Sequence, residues 1–394
     1  MGGNSVKEEL TSRERVRLAL NHQETDRIPL DLGGTFVSTM TFGAHEKLVE
    51  HLQTAEGLQV KNPVKIINRW GQTVQLPAEI LQRFKIDTMP IYSKPPRFWR
   101  DMNYPDGMYV DEWGVLRKRS SSGKYHYYDV YGSPLADAVS IADLERFRWP
   151  NGKDPGRIDG LREEAEHLFK HTDYALVGNL MGVDILELFW FMRGYENSLM
   201  DLLINQDFAH TAFRKLLDIQ LDKFTLYLGA VGEYLDVVVI LDDLSTQNSL
   251  FFSPDTYRTM LKPYHRELIA HIKSLTRAKL LFHCCGAVRP LLPDLIEIGV
   301  DIIQPVQVSA KGMDTQELKA EFGDKICFWG GGCDSQQILP RGSEEDVRKE
   351  VQKRIDDLSP GGGFVFSPVH NVQFDVPSQN VVAMYDHAFK YGSR

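Results

Sequence analysis

The chain predicts an α/β fold, a closed (β/α)8 TIM barrel, and three observations carry the prediction. Short apolar runs alternate with helical stretches along most of its length, which is the signature of parallel βα units. Several of those runs are apolar throughout, as strands buried on both faces must be. Polar residues gather at the C-terminal end of nearly every run, the end at which a barrel of this kind carries its chemistry. A chain of 394 residues accommodates one large barrel or two ordinary domains. The pattern favours one barrel over residues 11–394, preceded by a polar, mobile segment at 1–10.

The elements follow in order. Thr11-Ser12-Arg13-Glu14 reads as a capping box opening a helix that runs through Asn21. The apolar runs predict strands at Ile28–Leu32, Ile86–Tyr92, Ala175–Asn179, Val237–Asp242, Lys279–Cys284, Asp301–Pro305, Ile326–Gly330 and Gly363–Pro368. Helices are predicted between them at Ile158–Lys170, Asp184–Asn205, Ala209–Leu228, Pro254–Leu275, Val288–Ile298, Thr315–Phe322 and Glu344–Leu358. One segment breaks the rhythm. Residues 95–150 hold Trp99, Trp113, Trp149 and many tyrosines, with strand-like runs at Met108–Arg117 and Lys124–Tyr131 around the turn Ser120-Ser121-Ser122-Gly123. This reads as a β-hairpin inserted after strand 2 and lying over the barrel mouth.

Bulk properties narrow the function. A net charge of −9 and a pI near 5.8 exclude a nucleic-acid binder, which needs a basic face. No apolar run approaches a membrane span and the start lacks a signal-peptide core, so a cytoplasmic protein is expected. The 4 cysteines are too few for a disulfide framework. All lie between Cys284 and Cys333, two of them adjacent, which favours metal or thiol chemistry over bridges.

The most informative stretch is Leu280-Leu281-Phe282-His283-Cys284-Cys285-Gly286. Side chains alternate across a strand, so His283 and Cys285 share a face and Cys284 points away. An imidazole and a thiolate side by side make two-thirds of a typical catalytic zinc site, the alternative being a buried cysteine pair beside a backbone-bonded histidine. The other strand ends supply Asp31, Tyr92, Asn179, Asp242, Asp243, Gln304, Asp334, His370 and Asn371. Asp31, Asn179 and Asp334 fit a turn or cap role equally well. From this set Asp242, Asp243 and His370 are the candidate catalytic groups. Tyr92, Trp113, Asn179, Gln247, Gln304 and Asn371 are the candidate substrate contacts. His283, Cys285 and Cys333 are the candidate metal ligands.

The order of several motifs resembles the uroporphyrinogen decarboxylase superfamily. They are Arg13-Glu14-Arg15 with Asp26-Arg27-Ile28-Pro29, Asp111-Glu112-Trp113-Gly114, Asp242-Asp243 with Thr246-Gln247, Ser253-Pro254, Lys262-Pro263-Tyr264, His283-Cys284-Cys285-Gly286, Gly331-Gly332-Cys333-Asp334, and Gly361-Gly362-Gly363 leading to His370-Asn371. The resemblance runs from Arg13 to about Tyr391 and joins heme-pathway decarboxylases to zinc- and corrinoid-dependent methyltransferases. The decarboxylases carry an arginine pair near the amino end for porphyrin carboxylates, and an aspartate after strand 2 facing the pyrrole nitrogens. Here strand 1 continues Asp31-Leu32-Gly33-Gly34-Thr35 and strand 2 ends Ile91-Tyr92-Ser93-Lys94, with neither. The methyltransferase branch places His-x-Cys after strand 5, matched by His283 and Cys285, and a second zinc-binding cysteine in the strand-8 segment. That segment is Gly361-Gly362-Gly363 here, so Cys333 or His370 would have to complete a zinc site, or the pocket is a metal-free thiol site.

The resemblance therefore implies a methyltransferase that moves a methyl group between a small, for example methoxylated, molecule and a cobamide. A separate corrinoid protein would carry the cobamide, and Trp113, Tyr125, Tyr127 and Tyr128 would wall the substrate. A homodimer through surface helices is a further implication. Two other readings stay open. One is decarboxylation of a tetrapyrrole or another acid, with Asp242 or Asp243 and His370 handling protons. The other is a binding barrel without turnover.

Overall fold

Inward-facing residues of the strands show how the barrel is built. Ala175, Val177, Val237, Val239, Leu281, Ile302, Cys327, Trp329 and Val365 pack together inside it, and Val16 and Leu20 from the first helix join them. Where one strand supplies two of them, Ala175 and Val177, Val237 and Val239, or Cys327 and Trp329, they are two residues apart, as the pleat requires. The computed structural model describes residues 9–61, 64–121 and 123–393, so most of the segment 1–10 lies outside the described residues. Seven strands, Thr88–Tyr92, Ala175–Asn179, Val237–Leu241, Lys279–His283, Ile302–Gln304, Cys327–Trp329 and Phe364–Val365, pair in that order into one parallel sheet.

The segment predicted as strand 1 closes the sheet. Leu30 bridges Phe366 in parallel, and its carbonyl accepts the Asp87 N–H at 2.8 Å. It is a single bridge rather than a ladder for two reasons. Pro29 has no N–H to donate, and the Leu30 N–H goes to the Asp87 carboxylate at 2.8 Å instead of to a backbone carbonyl. Asp87 also accepts from Arg15 at 2.8 Å and from both terminal nitrogens of Arg27, at 2.6 and 2.9 Å. Arg15 in turn holds Asp26 through two bonds of 2.8 Å. Arg15, Arg27 and Asp87 are buried, so the motif that joins Arg15 to Asp26-Arg27 is a structural knot at the barrel seam. The first helix is Ser12–Ala19, with Thr11 and Glu14 forming the predicted capping box.

Several elements depart from expectation. The insert is an antiparallel sheet of four short strands, Met102–Asn103, Tyr109–Val110, Leu116–Arg119 and Tyr128–Gly132, in place of one hairpin. The helix expected over Pro254–Leu275 has a π-turn at Tyr257–Leu261 and continues as Lys262–Leu275, because Pro263 cannot donate to the preceding turn. Helices Phe42–Glu56, Ala78–Arg83 and Ser378–Tyr391 have no counterpart in the sequence reading. Among the described residues no helix is long and apolar enough to cross a membrane.

Replacing Asp87 by asparagine removes a carboxylate shared by two buried guanidinium groups, of which Arg15 keeps its bonds to Asp26. Removal of one partner of a buried ion pair costs about 3–5 kcal/mol. Equilibrium denaturation of Asp87→Asn is expected to show a loss of that size, and a loss within about 0.5 kcal/mol, as for an ordinary surface substitution, would contradict the seam assignment.

Candidate metal centre

Strand alternation carries the inward set past the packed interior to the C-terminal rim. Inward Leu281 is followed two residues on by His283, Ile302 by Gln304 and Val177 by Asn179. His283 and Gln304 are direct neighbours in the parallel register, and the Gln304 carboxamide oxygen bonds His283 Nδ1. With Nδ1 occupied as the donor, Nε2 presents its lone pair to the cavity. Cys285 Sγ lies 3.4 Å from that Nε2, and the His370 ring stands edge-on to His283 with centroids 5.6 Å apart. One ligand atom from each of His283, Cys285 and His370 falls within 4.8 Å of the others.

The chain reverses directly after Cys285 because Gly286 adopts φ +92°. A Cβ there would meet the Thr246 carbonyl at 2.5 Å, so only glycine turns at this point. Asp243 accepts the Cys285 N–H at 2.7 Å and Ser245 donates to the Cys285 carbonyl at 2.7 Å. These bonds fix the thiol's backbone.

The electrostatics favour a cation. Burial pushes His283 down to about 4, against its bond to Gln304. Burial, then the neighbouring His283, pushes His370 down to about 4. Both imidazoles are thus neutral and free to ligate. Burial, then the Asp243 carboxylate, drives the Cys285 thiol well above its ordinary range. Asp243 itself is raised by burial, and Glu187 is raised well above by burial, then by Asp243. One Glu187 oxygen, Oε2, is buried with no partner. A thiol, two carboxyl groups and two neutral imidazoles crowded together would favour a divalent ion that displaces the acidic protons.

The donor set fits zinc. For Zn–S near 2.3 Å and Zn–N near 2.05 Å, a tetrahedral S···N edge is about 3.5 Å, against 3.4 Å between Cys285 and His283. A zinc ion held by two histidines and a cysteine would have three protein ligands, the number that catalytic zinc sites use. His283 is buried while Cys285 and His370 keep partial exposure, which gives an entry side.

The remaining predicted residues divide clearly. Cys333 does not join the cluster: it is buried, with Glu350, Asp334 and Arg354 as its charged neighbours, so its thiol faces the outer helix layer. Asp242 is not free for proton handling. It accepts the N–H groups of Ile185, Leu186 and Glu187 at 2.8–3.0 Å and bonds His265 Nε2 at 2.8 Å, capping the helix Leu186–Arg193. Asn179, Asn371 and Tyr92 bind the backbone of the loop after Leu30, at Phe36 N, Thr39 N and Gly33 O, and Asp31 accepts from Thr88, Gly34 and Trp329. Gln247 sits at the rim, 3.5 Å from the Ser309 hydroxyl.

Trp113 lines a separate cavity of about 210 Å³ with Trp70, Trp99, Tyr109, Phe191 and Leu188. Tyr125, Tyr127 and Tyr128, expected beside it, do not line that cavity. Glu187 is a group at the site that sequence reading passed over. Its signal was a lone acid in the apolar run Ile185-Leu186-Glu187-Leu188-Phe189.

A parallel barrel with a histidine–cysteine–histidine cluster at its C-terminal rim defines the class. Residues 125–391, more than half of the 394-residue chain, match the uroporphyrinogen decarboxylase (URO-D) family, and the chain belongs to that family. A uroporphyrinogen decarboxylase of Pseudoalteromonas atlantica is 30% identical over 82 residues, which span 21% of this chain and 22% of that protein. A methyltransferase from Methanosarcina mazei shares the fold, with a TM-score of 0.63 at 17% identity over 97% of this chain and 99% of that one.

Zinc titration tests the cluster. Gln304→Leu is expected to weaken zinc about 10–100-fold, as loss of an outer-shell partner does, and Cys333→Ala to leave affinity unchanged. The imidazoles, at about 4, carry no proton to displace above pH 5. The Cys285 thiol, held well above its ordinary value, must lose one. Affinity should therefore rise with pH through neutrality by about tenfold per unit for each proton released. An affinity flat between pH 6 and 8 would contradict the ligand set.

Proposed function

We propose that the chain is a zinc-dependent methyltransferase that moves a methyl group between a small methylated or methoxylated molecule and a cobamide carried by a partner protein. The observation that carries this reading is the gathering of His283, Cys285 and His370, with one ligand atom of each within 4.8 Å of the others. A soft sulfur ligand with two imidazoles suits zinc. Zinc held there supplies a Lewis acid that lowers the pKa of a bound thiol or polarises a donor oxygen. The chain's own groups do the rest. Gln304 fixes the His283 tautomer. Asp243 anchors Cys285, and Asp243 with Glu187 forms the carboxyl pair able to hold the proton that a thiol gives up. The aromatic cavity holds the apolar part of the substrate.

Charge pairing argues against the decarboxylase reading. A porphyrinogen with eight carboxylates needs free cations. Around the aromatic cavity the cations are already paired within the chain: Arg69 with Asp101 at 3.0 Å, Arg117 with Asp111 at 2.8 Å, and Lys223 and Arg157 both with Glu112. The loop after Leu30, residues 31–41, has no arginine or lysine and is held buried by Asn179 and Asn371.

The test is anaerobic. Given zinc and cob(I)alamin or methylcobalamin, the protein should interconvert their spectra across a panel of methoxylated donors and thiol acceptors, and Cys285→Ser should abolish the change. Coproporphyrinogen formed from uroporphyrinogen at a useful rate, with no methyl transfer, would overturn the reading in favour of a decarboxylase.

A further inference from the structure

The two imidazoles of the cluster are held differently. His283 is oriented by Gln304, whereas no side-chain hydrogen bond to the His370 ring occurs among the described residues. The ring's place depends on the backbone of its loop. On one side that loop is tied to the segment after strand 1, through the Met40–Val372 bridge and the Thr39 N–H on Asn371 at 2.9 Å. On the other side it meets the tip of the inserted sheet.

That contact is built closely. Tyr125 stacks on Phe374 with centroids 5.6 Å apart and planes 29° from parallel. Lys47 bonds the Phe374 carbonyl at 2.6 Å and lies 5.7 Å over the Tyr125 ring. Beneath the ring is Gly43, where a Cβ would stand 2.6 Å from Tyr125 Cδ1, so the ring occupies space that any larger residue would take. The Tyr127 hydroxyl bonds Gln373 Oε1, and Gln373 Nε2 returns to the Asn371 carbonyl at 2.9 Å. A continuous path runs from Tyr127 through Gln373 and Asn371 to the residue next to it, His370.

We infer that the tip of the inserted sheet holds His370 against His283 and Cys285, with Tyr125 and Tyr127 as positioning residues for the third ligand. This rests on the reading of His370 as a zinc ligand. The same sheet supplies Tyr109, Trp113 and Arg117 to the aromatic cavity, so one element both walls that cavity and sets the geometry of the metal centre.

The test uses the full-length protein loaded with zinc, and with cobalt(II) as a spectroscopic probe. Gly43→Ala displaces Tyr125 while favouring the helix Phe42–Glu56, and Tyr127→Phe removes the bond to Gln373. Each is expected to weaken zinc about 10-fold or more. Each should also shift the cobalt ligand-field bands toward those of His370→Ala while the thiolate-to-cobalt band from Cys285 persists. In a His370→Ala background neither should weaken zinc further, since both act through that ligand. Tip variants with the zinc affinity and cobalt spectrum of the parent, or losses that add in full to that of His370→Ala, would overturn the positioning role. If His370→Ala itself leaves affinity and spectrum unchanged, the ligand assignment is wrong and the positioning role falls with it.

Discussion

The barrel depends on one buried carboxylate. Asp87 receives two arginines and the Leu30 N–H, and it does so where the first strand has almost no ladder of its own. A parallel barrel has no edges only if its last strand finds its first. Here that seam is a single bridge between Leu30 and Phe366, made by the Asp31 N–H on the Phe366 carbonyl and the Phe366 N–H on the Pro29 carbonyl, and side-chain charge supports the segment on its other side, at Asp87. Everything at the rim inherits its spacing from this closure. His370 follows the last strand and the loop that anchors it follows the first, so a shift at the seam separates His370 from His283 and Cys285.

Within that frame, pleat and register set the chemistry. The period of 2 aims His283 and Gln304 into the barrel and Cys284 into the outer layer, where its sulfur meets the Leu244 N–H at 3.3 Å. The register then puts Gln304 beside His283, which chooses the tautomer that presents Nε2. Burial keeps both imidazoles neutral and the thiol protonated. The same burial explains why carboxylates that look alike in sequence behave differently. Asp242 spends its oxygens on a helix N-terminus and His265, whereas Asp243, one residue on, anchors Cys285.

Sequence reading succeeded where the signal is local and periodic. The seven strands Thr88–Tyr92 to Phe364–Val365, the helices Thr315–Phe322 and Glu344–Leu358 and the capping box at Thr11 all follow from apolar spacing and turn chemistry. It failed where neighbours far along the chain decide. Phe42–Glu56 begins with Phe42-Gly43-Ala44, a weak helix opening that Thr41 caps. The four strands of the insert are only 2–5 residues long, too short for alternation to register. Cys333 looks like a ligand because it follows a glycine run at a strand end, yet its thiol turns toward Glu350 and Arg354. Asn371 looked like a substrate contact and, like Asn179, bonds the backbone of the loop after Leu30.

By itself the sequence determined the barrel, the end at which its polar groups collect, and the shared face of His283 and Cys285, because alternation and apolar runs are properties of a few consecutive residues. Only the tertiary structure decided that His370 rather than Cys333 completes the cluster, that Glu187 stands beside it, and that Asp242 is a cap. Those outcomes depend on which strand neighbours which, on the direction a loop turns after its strand, and on an inserted sheet that reaches across to residues about 250 positions away, separations over which local pattern carries no information.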